Sequence, residues 1–190
     1  MEAIAQAVAL LKAGQVVGIP TDTVYGVAAS PLQPEAVARL FVLKGRRLTK
    51  PIGILVANAD EARSMVRLPL YALEWTGRFW PGPLTLVATP TSPLPPGVGD
   101  AKHNTVGVRV PDHPVTLALL EAFGPLAVTS ANPAAQTETL DETEAEASLG
   151  SLVPLYVPGR CPGAVASTVV DVTRAKPRVL RQGPLKLEEV

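Results

Sequence analysis

Apolar residues at positions 3, 4, 7, 8, 10 and 11 recur at helical spacing and Gly14 follows as a stop, which predicts an opening helix. Val16 to Pro20 (VVGIP) is short and apolar and predicts a buried strand. Pro34 stands where a helix can begin, and apolar positions 36, 37, 40, 41 and 43 give that helix a buried face ending near Lys44-Gly45. Ile52 to Ala57 (IGILVA) predicts the next strand, followed by helices over 59–66 and 69–79 and a turn at Trp80-Pro81-Gly82-Pro83. Further strands are expected at Leu84–Ala88, Thr105–Val110 and Leu126–Thr129, with a helix over 114–123. An acidic helix over 139–148 and strands near 153–157, 167–172 and 178–181 complete the pattern. Short apolar strands alternating with helices predict an α/β domain with a largely buried sheet. The Pro/Gly-rich stretch 89–104 is too long for an ordinary turn and marks a functional or mobile segment.

Composition narrows the function classes. A chain of 190 residues suffices for one domain with a real core, and residues 1–190 are read as a single domain. With 47% hydrophobic residues but only 4% aromatics, the core must be aliphatic, and base-stacking surfaces for single-stranded RNA are disfavoured. Lys+Arg and Asp+Glu both number 17, so no global field attracts a nucleic acid and any phosphate contact must be local. A lone cysteine, Cys161, excludes an intrachain disulfide, and two histidines argue against a Cys/His zinc site. No apolar run reaches bilayer length, and an acid at residue 2 ahead of the apolar stretch is the wrong order for a secretory signal, so a cytoplasmic protein with no membrane contact is expected.

Neither standard phosphate loop nor a nucleophile elbow is present, so side-chain cations must hold the phosphates of any nucleotide. Six segments are candidates. Pro20-Thr-Asp-Thr-Val-Tyr-Gly26 follows a buried strand, where ligands of open α/β sheets sit, but spacing alone reads it as a turn. Lys44, Arg46, Arg47 and Lys50 crowd seven residues; a polyphosphate or a helix-end cap accounts for Lys44, while the cap explains Arg46 poorly and Lys50 not at all. Arg109 lies among valines on a predicted strand and shares a face with Thr105 and Gly107; its partner is a ligand carboxylate or an internal Asp. Thr129-Ser130-Ala131-Asn132, Ser167-Thr-Val-Val-Asp171 and Leu180-Arg181-Gln-Gly183 add hydroxyls, an amide and a cation at strand ends, with Asp22 the one well-placed acid. Together they suit an anionic ligand. His113, between prolines, is read as a surface position, His103 lies in the long loop, and Cys161 is read as inert.

In this order, PTDTVYG, KGR with its following KP, VGVRVP-HP, TSAN, STVVD and LRQG resemble the YrdC-like family, the threonylcarbamoyl-AMP synthases, over roughly Ala7 to Pro184 and in its short single-domain form. The resemblance implies a twisted mixed parallel/antiparallel sheet with flanking helices around a deep electropositive cavity. It implies the condensation of L-threonine, bicarbonate and ATP to threonylcarbamoyl-AMP and pyrophosphate, which other proteins use to modify an adenosine of tRNA. The K-x-R and S-x-N motifs carry over as catalytic groups to Lys44, Arg46, Ser130 and Asn132. Thr23, Arg109, Ser130 and Ser167 would hold threonine; Arg46, Lys50, Thr105, Asn132 and Arg181 would hold ATP, with Mg²⁺ carried by the nucleotide. Alanine at Lys44 or Arg46 is expected to abolish turnover and leave the fold intact.

The chain departs from many relatives at Arg47, where they have Pro, and after Asn132, where Pro133-Ala-Ala-Gln136 stands in place of an early Ser-Gly and leaves the role of Thr139 open. Leu55 stands where some relatives have a His. Any lid must come from segments such as 89–104 or 184–190. The alternative readings are a related carbamoyltransferase and an RNA-binding or ribosome-associated module using the 44–50 cluster, with weak RNA binding.

Overall fold

In the computed structural model, which describes residues 2–45, 51–134 and 136–187, the opening helix α1 spans Glu2–Lys12. Glu2 and Lys12 complement its dipole, and Gly14 at φ +73° ends it, with the amides of Gly14 and Gln15 returning to the carbonyls of Leu11 and Leu10. α2 (Pro34–Leu43) starts on proline as expected and buries Val37, Leu40 and Phe41. α3 (Ala59–Met65) is capped by Asn58, α4 spans Leu70–Phe79 and α5 spans Pro114–Phe123.

The strands are β1 (Val17–Ile19), β2 (Gly26–Ala29), β3 (Gly53–Leu55), β4 (Val66–Arg67), β5 (Leu84–Pro90), β6 (Val106–Arg109), β7 (Leu126–Ser130), β8 (Thr168–Asp171) and β9 (Arg178–Arg181). They form one sheet in the order β1-β2-β7-β3-β6-β5-β8-β9, with β4 paired to β5. β3 with β6 and β5 with β8 are parallel, and the other pairs are antiparallel, so the sheet is mixed as the resemblance implied.

The two faces of the sheet serve different ends. On one, Val27, Ile54, Leu86 and Val108 pack against α2 and α4 in the larger core. On the other, Ala28, Leu55 and Leu126 meet Leu11 of α1 and Leu119 and Leu120 of α5. These helices cover only the β1 end of that second face; beyond them it opens into a cavity.

Three expectations need correction. β2 was not anticipated, because Gly26-Val-Ala-Ala has little β propensity and no alternation; all four residues are buried because the strand lies between β1 and β7. The 153–157 segment is not a strand but an irregular stretch, bonded to β1 only through Gly18. Pro154 lies within it and Pro158 follows it, and neither can donate to a ladder. The acidic helix α6 is Glu142–Leu149, not 139–148: Asp141 accepts from Glu144 N at 2.9 Å and starts it there.

Both segments suggested as lids are fastened where they are described. Val98 is buried, Gly99 N donates to Ile52 O, and Thr168 Oγ1 accepts from the amides of Gly183 and Leu185. Residues 188–190 lie outside the described residues.

Candidate functional site

The open part of the sheet face lines a cavity of about 580 Å³. Alternation along β6 points Thr105, Gly107 and Arg109 into it, as the sequence pattern predicted, while Val106 and Val108 turn to the core. Thr23, Ser130, Ser167 and Arg181 join them from four other segments, so every described residue assigned to threonine lines one space. Lys44 and Asn132 are not on the wall; they are buried behind Ser130. Arg46, Arg47 and Lys50 lie outside the described residues.

The Pro20–Gly26 segment is a turn and also part of the wall. Thr21 Oγ1 accepts from the amides of Thr23 and Val24 and donates to Val24 O at 2.7 Å, a side-chain turn that fixes the loop. That turn delivers the Thr23 hydroxyl to Arg109, whose Nη1 donates to it at 3.0 Å. Arg109 Nε donates to Gly82 O at 2.9 Å, and Nη2 is ion-paired with Asp22. The choice left open for Arg109 thus falls on the internal carboxylate, although the guanidinium still borders the cavity. Burial lowers its pKa below the usual arginine value, and Asp22 opposes that shift.

A pattern unites three of the hydroxyls. Thr23 accepts from Arg109, Ser130 accepts from Lys44 Nζ at 3.0 Å, and Ser167 accepts from Arg181 Nη2 at 3.1 Å. A guanidinium or ammonium can only donate, so each hydroxyl accepts from the cation beside it, is polarised by it and gives it no hydrogen; Thr23 Oγ1 also meets Thr21 Oγ1 at 3.1 Å, and Ser167 Oγ meets the Thr85 hydroxyl at 2.8 Å. Such a wall suits carboxylate or phosphate oxygens. Lys44 also donates to Ser130 O at 2.9 Å and Asn132 Oδ1 at 2.7 Å, which joins the K-x-R and S-x-N segments directly. Asn132 Nδ2 donates to Gln136 O at 2.6 Å, so the longer spacing after S-x-N closes a turn around the amide. Thr139 is buried, donates to Ala131 O and receives Tyr25 N on its carbonyl, which makes it a fastener of this turn.

Several features were not read from the sequence. Asp22 is not the only nearby acid: Asp100 and Glu138 line the cavity, whereas Asp22 stands behind Arg109. Asp100 binds His103 Nδ1 at 2.7 Å, which occupies the histidine of the long loop. Thr85 lines the cavity and touches Ser167 Oγ at 2.8 Å; its only sequence signal is a polar residue alternating with leucines in Leu84-Thr-Leu86. His113 is buried, not at the surface, because Gly159 packs against its ring. Cys161 is buried, accepts from Thr21 N, and has its thiol pushed up to about 11 by burial, consistent with an inert thiol.

The Sua5/YciO/YrdC family model, described as "Telomere recombination", matches residues 9–183. The chain belongs to the Sua5/YciO/YrdC family. Among its relatives is a Mycobacterium tuberculosis protein named "Putative threonylcarbamoyl-AMP synthase", 42% identical over 98% of this chain and 87% of that protein. The structure of Pyrococcus abyssi Sua5 complexed with L-threonine superimposes with TM-score 0.92 at 34% identity, covering 98% of this chain and 55% of that one. The chain therefore spans little more than half of that protein. Escherichia coli YciO superimposes with TM-score 0.90 at 27% identity over 98% of this chain and 92% of that one. The mixed sheet with flanking helices is thus the fold of this family. No helix among the described residues is long and apolar enough to cross a membrane.

Proposed function

We propose that this chain is a threonylcarbamoyl-AMP synthase, condensing L-threonine, bicarbonate and ATP to threonylcarbamoyl-AMP and pyrophosphate for threonylcarbamoyladenosine modification of tRNA. The observation that carries this reading is the single cavity into which Thr23, Arg109, Ser130, Ser167 and Arg181 converge, each hydroxyl held by a cation.

The chemistry follows from charge. The threonine amine, once deprotonated, adds to bicarbonate carbon and water leaves, giving an N-carboxylate. An oxygen of that anion attacks the α-phosphorus of ATP, and the bond to the β-phosphate oxygen breaks to release pyrophosphate. Two anions must meet, so positive charge on both sides is required. Arg109 and the Thr23 and Ser167 hydroxyls face the threonine carboxylate. Lys44, acting through Ser130 and Asn132, together with Arg46, Lys50, Thr105 and Arg181, serves the nucleotide. ATP enters as its Mg²⁺ complex, the ion arriving as part of the substrate.

The site operates in the cytoplasm, and downstream transfer proteins collect the product. Pyrophosphate release from purified protein with ATP, Mg²⁺, bicarbonate and threonine tests the reading. Release that requires both bicarbonate and threonine is expected. Release indifferent to threonine overturns the substrate assignment, and turnover of carbamoyl phosphate points to a carbamoyltransferase instead. Salt-sensitive RNA binding without ATP binding points to the RNA-binding module.

A further inference from the structure

Thr85 stands on β5 between two groups of the site, with β6 and Arg109 on one side and β8 on the other. Its hydroxyl is 2.8 Å from Ser167 Oγ. Ser167 in turn accepts from Arg181 Nη2 at 3.1 Å, and Ser167 O accepts from Arg181 Nε at 3.0 Å. Neither hydroxyl has another hydrogen-bond partner among the described residues.

We propose that Thr85 is a positioning residue of the amino-acid subsite, fixing Ser167 so that the two hydroxyls together offer one O–H to a carboxylate oxygen of the substrate. The inference rests on the threonylcarbamoyl-AMP synthase reading. Its basis is a count of hydrogens. Arg181 can only donate, so it occupies a lone pair of Ser167 and takes no hydrogen. Thr85 and Ser167 carry two hydroxyl hydrogens and share one contact, which uses one of them. Whichever of the two donates, one hydrogen remains, on a residue that lines the cavity. A positively braced donor of this kind selects an acceptor oxygen and disfavours an ammonium group.

The neighbouring strand explains why the Thr85 hydroxyl faces Ser167. A Cβ built on Gly107 would stand 3.1 Å from Thr85 Cγ2. Gly107 therefore leaves room for the threonine methyl against β6, and the staggered alternative left to the hydroxyl points towards β8. Valine at 85 keeps both branches and removes only the hydroxyl.

Steady-state pyrophosphate release, with threonine and ATP varied separately, tests the proposal on Thr85→Val, Thr85→Ser, Ser167→Ala and the double variant Thr85→Val/Ser167→Ala. Thr85→Val is expected to raise the threonine KM about fivefold or more while the ATP KM moves less than about twofold. Thr85→Ser should restore the threonine KM to within about twofold of wild type, and Thr85→Val should add nothing to Ser167→Ala. An unchanged threonine KM in Thr85→Val, an equal rise for both substrates, or effects that multiply in the double variant overturns the proposal. A wild-type protein that binds threonine but releases no pyrophosphate overturns the functional reading alone, and the same comparison is then scored on threonine Kd by calorimetry. If wild type binds no threonine, both fall. If Thr85→Val does not fold, Thr85→Ala is read by the same criteria.

Discussion

Arg109 and Asp22, 87 positions apart in the chain, form a buried ion pair at one end of the cavity, with side chains only 7% and 10% exposed. Asp22 also accepts from Asp112 N at 3.0 Å, so the carboxylate ties the β1–β2 turn to the strand end that carries the arginine. The guanidinium is thereby held in one orientation, with Thr23 and Gly82 O fixing its other nitrogens.

Arg109→Ala is expected to raise the threonine KM about 10- to 100-fold, with a smaller change for ATP, because the proposed charge-assisted contact to the threonine carboxylate is lost. It also leaves Asp22 buried without its partner, a loss of about 3–5 kcal/mol. Separate KM determinations and urea unfolding check the two effects. Equal effects on both substrates would count against the clamp role.

Lys44→Ala should reduce turnover about 100-fold or more. The sequence alone presented it as neutral for the fold. The structure predicts otherwise: Ser130 O and Asn132 Oδ1 lose the ammonium that joins them, at about 1–3 kcal/mol per unsatisfied group. A lowered Tm beside the lost activity is the expected pair of results, and an unchanged Tm would show that the turn is held by other contacts.

Gly183→Ala tests the reason for glycine in the Leu-Arg-Gln-Gly motif. Its added Cβ would stand 2.4 Å from Ala166 O and Thr168 N and 2.5 Å from Ser167 C, all of them backbone. Overpacking of this kind costs about 1–3 kcal/mol and must displace Ser167. Thermal melting and the threonine KM should both change; a normal KM in a destabilised protein would separate the motif from the site.

His113 predicts a pH dependence of stability. Burial holds its imidazole below the ordinary value of 6.5, with the Arg160 backbone and the nearby Asp22 and Asp112 charges opposing the shift. The unfolded chain therefore takes up the proton first. The stabilisation is complete above pH 6.5 and is lost as the pH falls through the lower folded value. Comparing Tm between about pH 8 and about pH 5 should show a steeper acid decline in wild type than in His113→Gln.

The sequence by itself determined the local geometry. Helical spacing and Pro34 fixed α2, and period-two alternation placed Thr105, Gly107 and Arg109 on one face. The six chemistry-bearing segments were also legible, since five of them sit at or beside a strand end and the Lys44 segment stands at the C-terminal end of α2. Tertiary structure alone decided the pairings. Whether Arg109 meets Asp22, whether Lys44 caps a helix or holds Ser130, and whether Thr85 touches Ser167 all depend on sheet order, which brings residues more than 80 positions apart within hydrogen-bond distance. β2 was hidden for the same reason: Gly-Val-Ala-Ala has no strand pattern of its own, and only the neighbours β1 and β7 make it one. Periodicity is a property of consecutive residues, whereas the partner of a buried charge is set by which strands lie side by side.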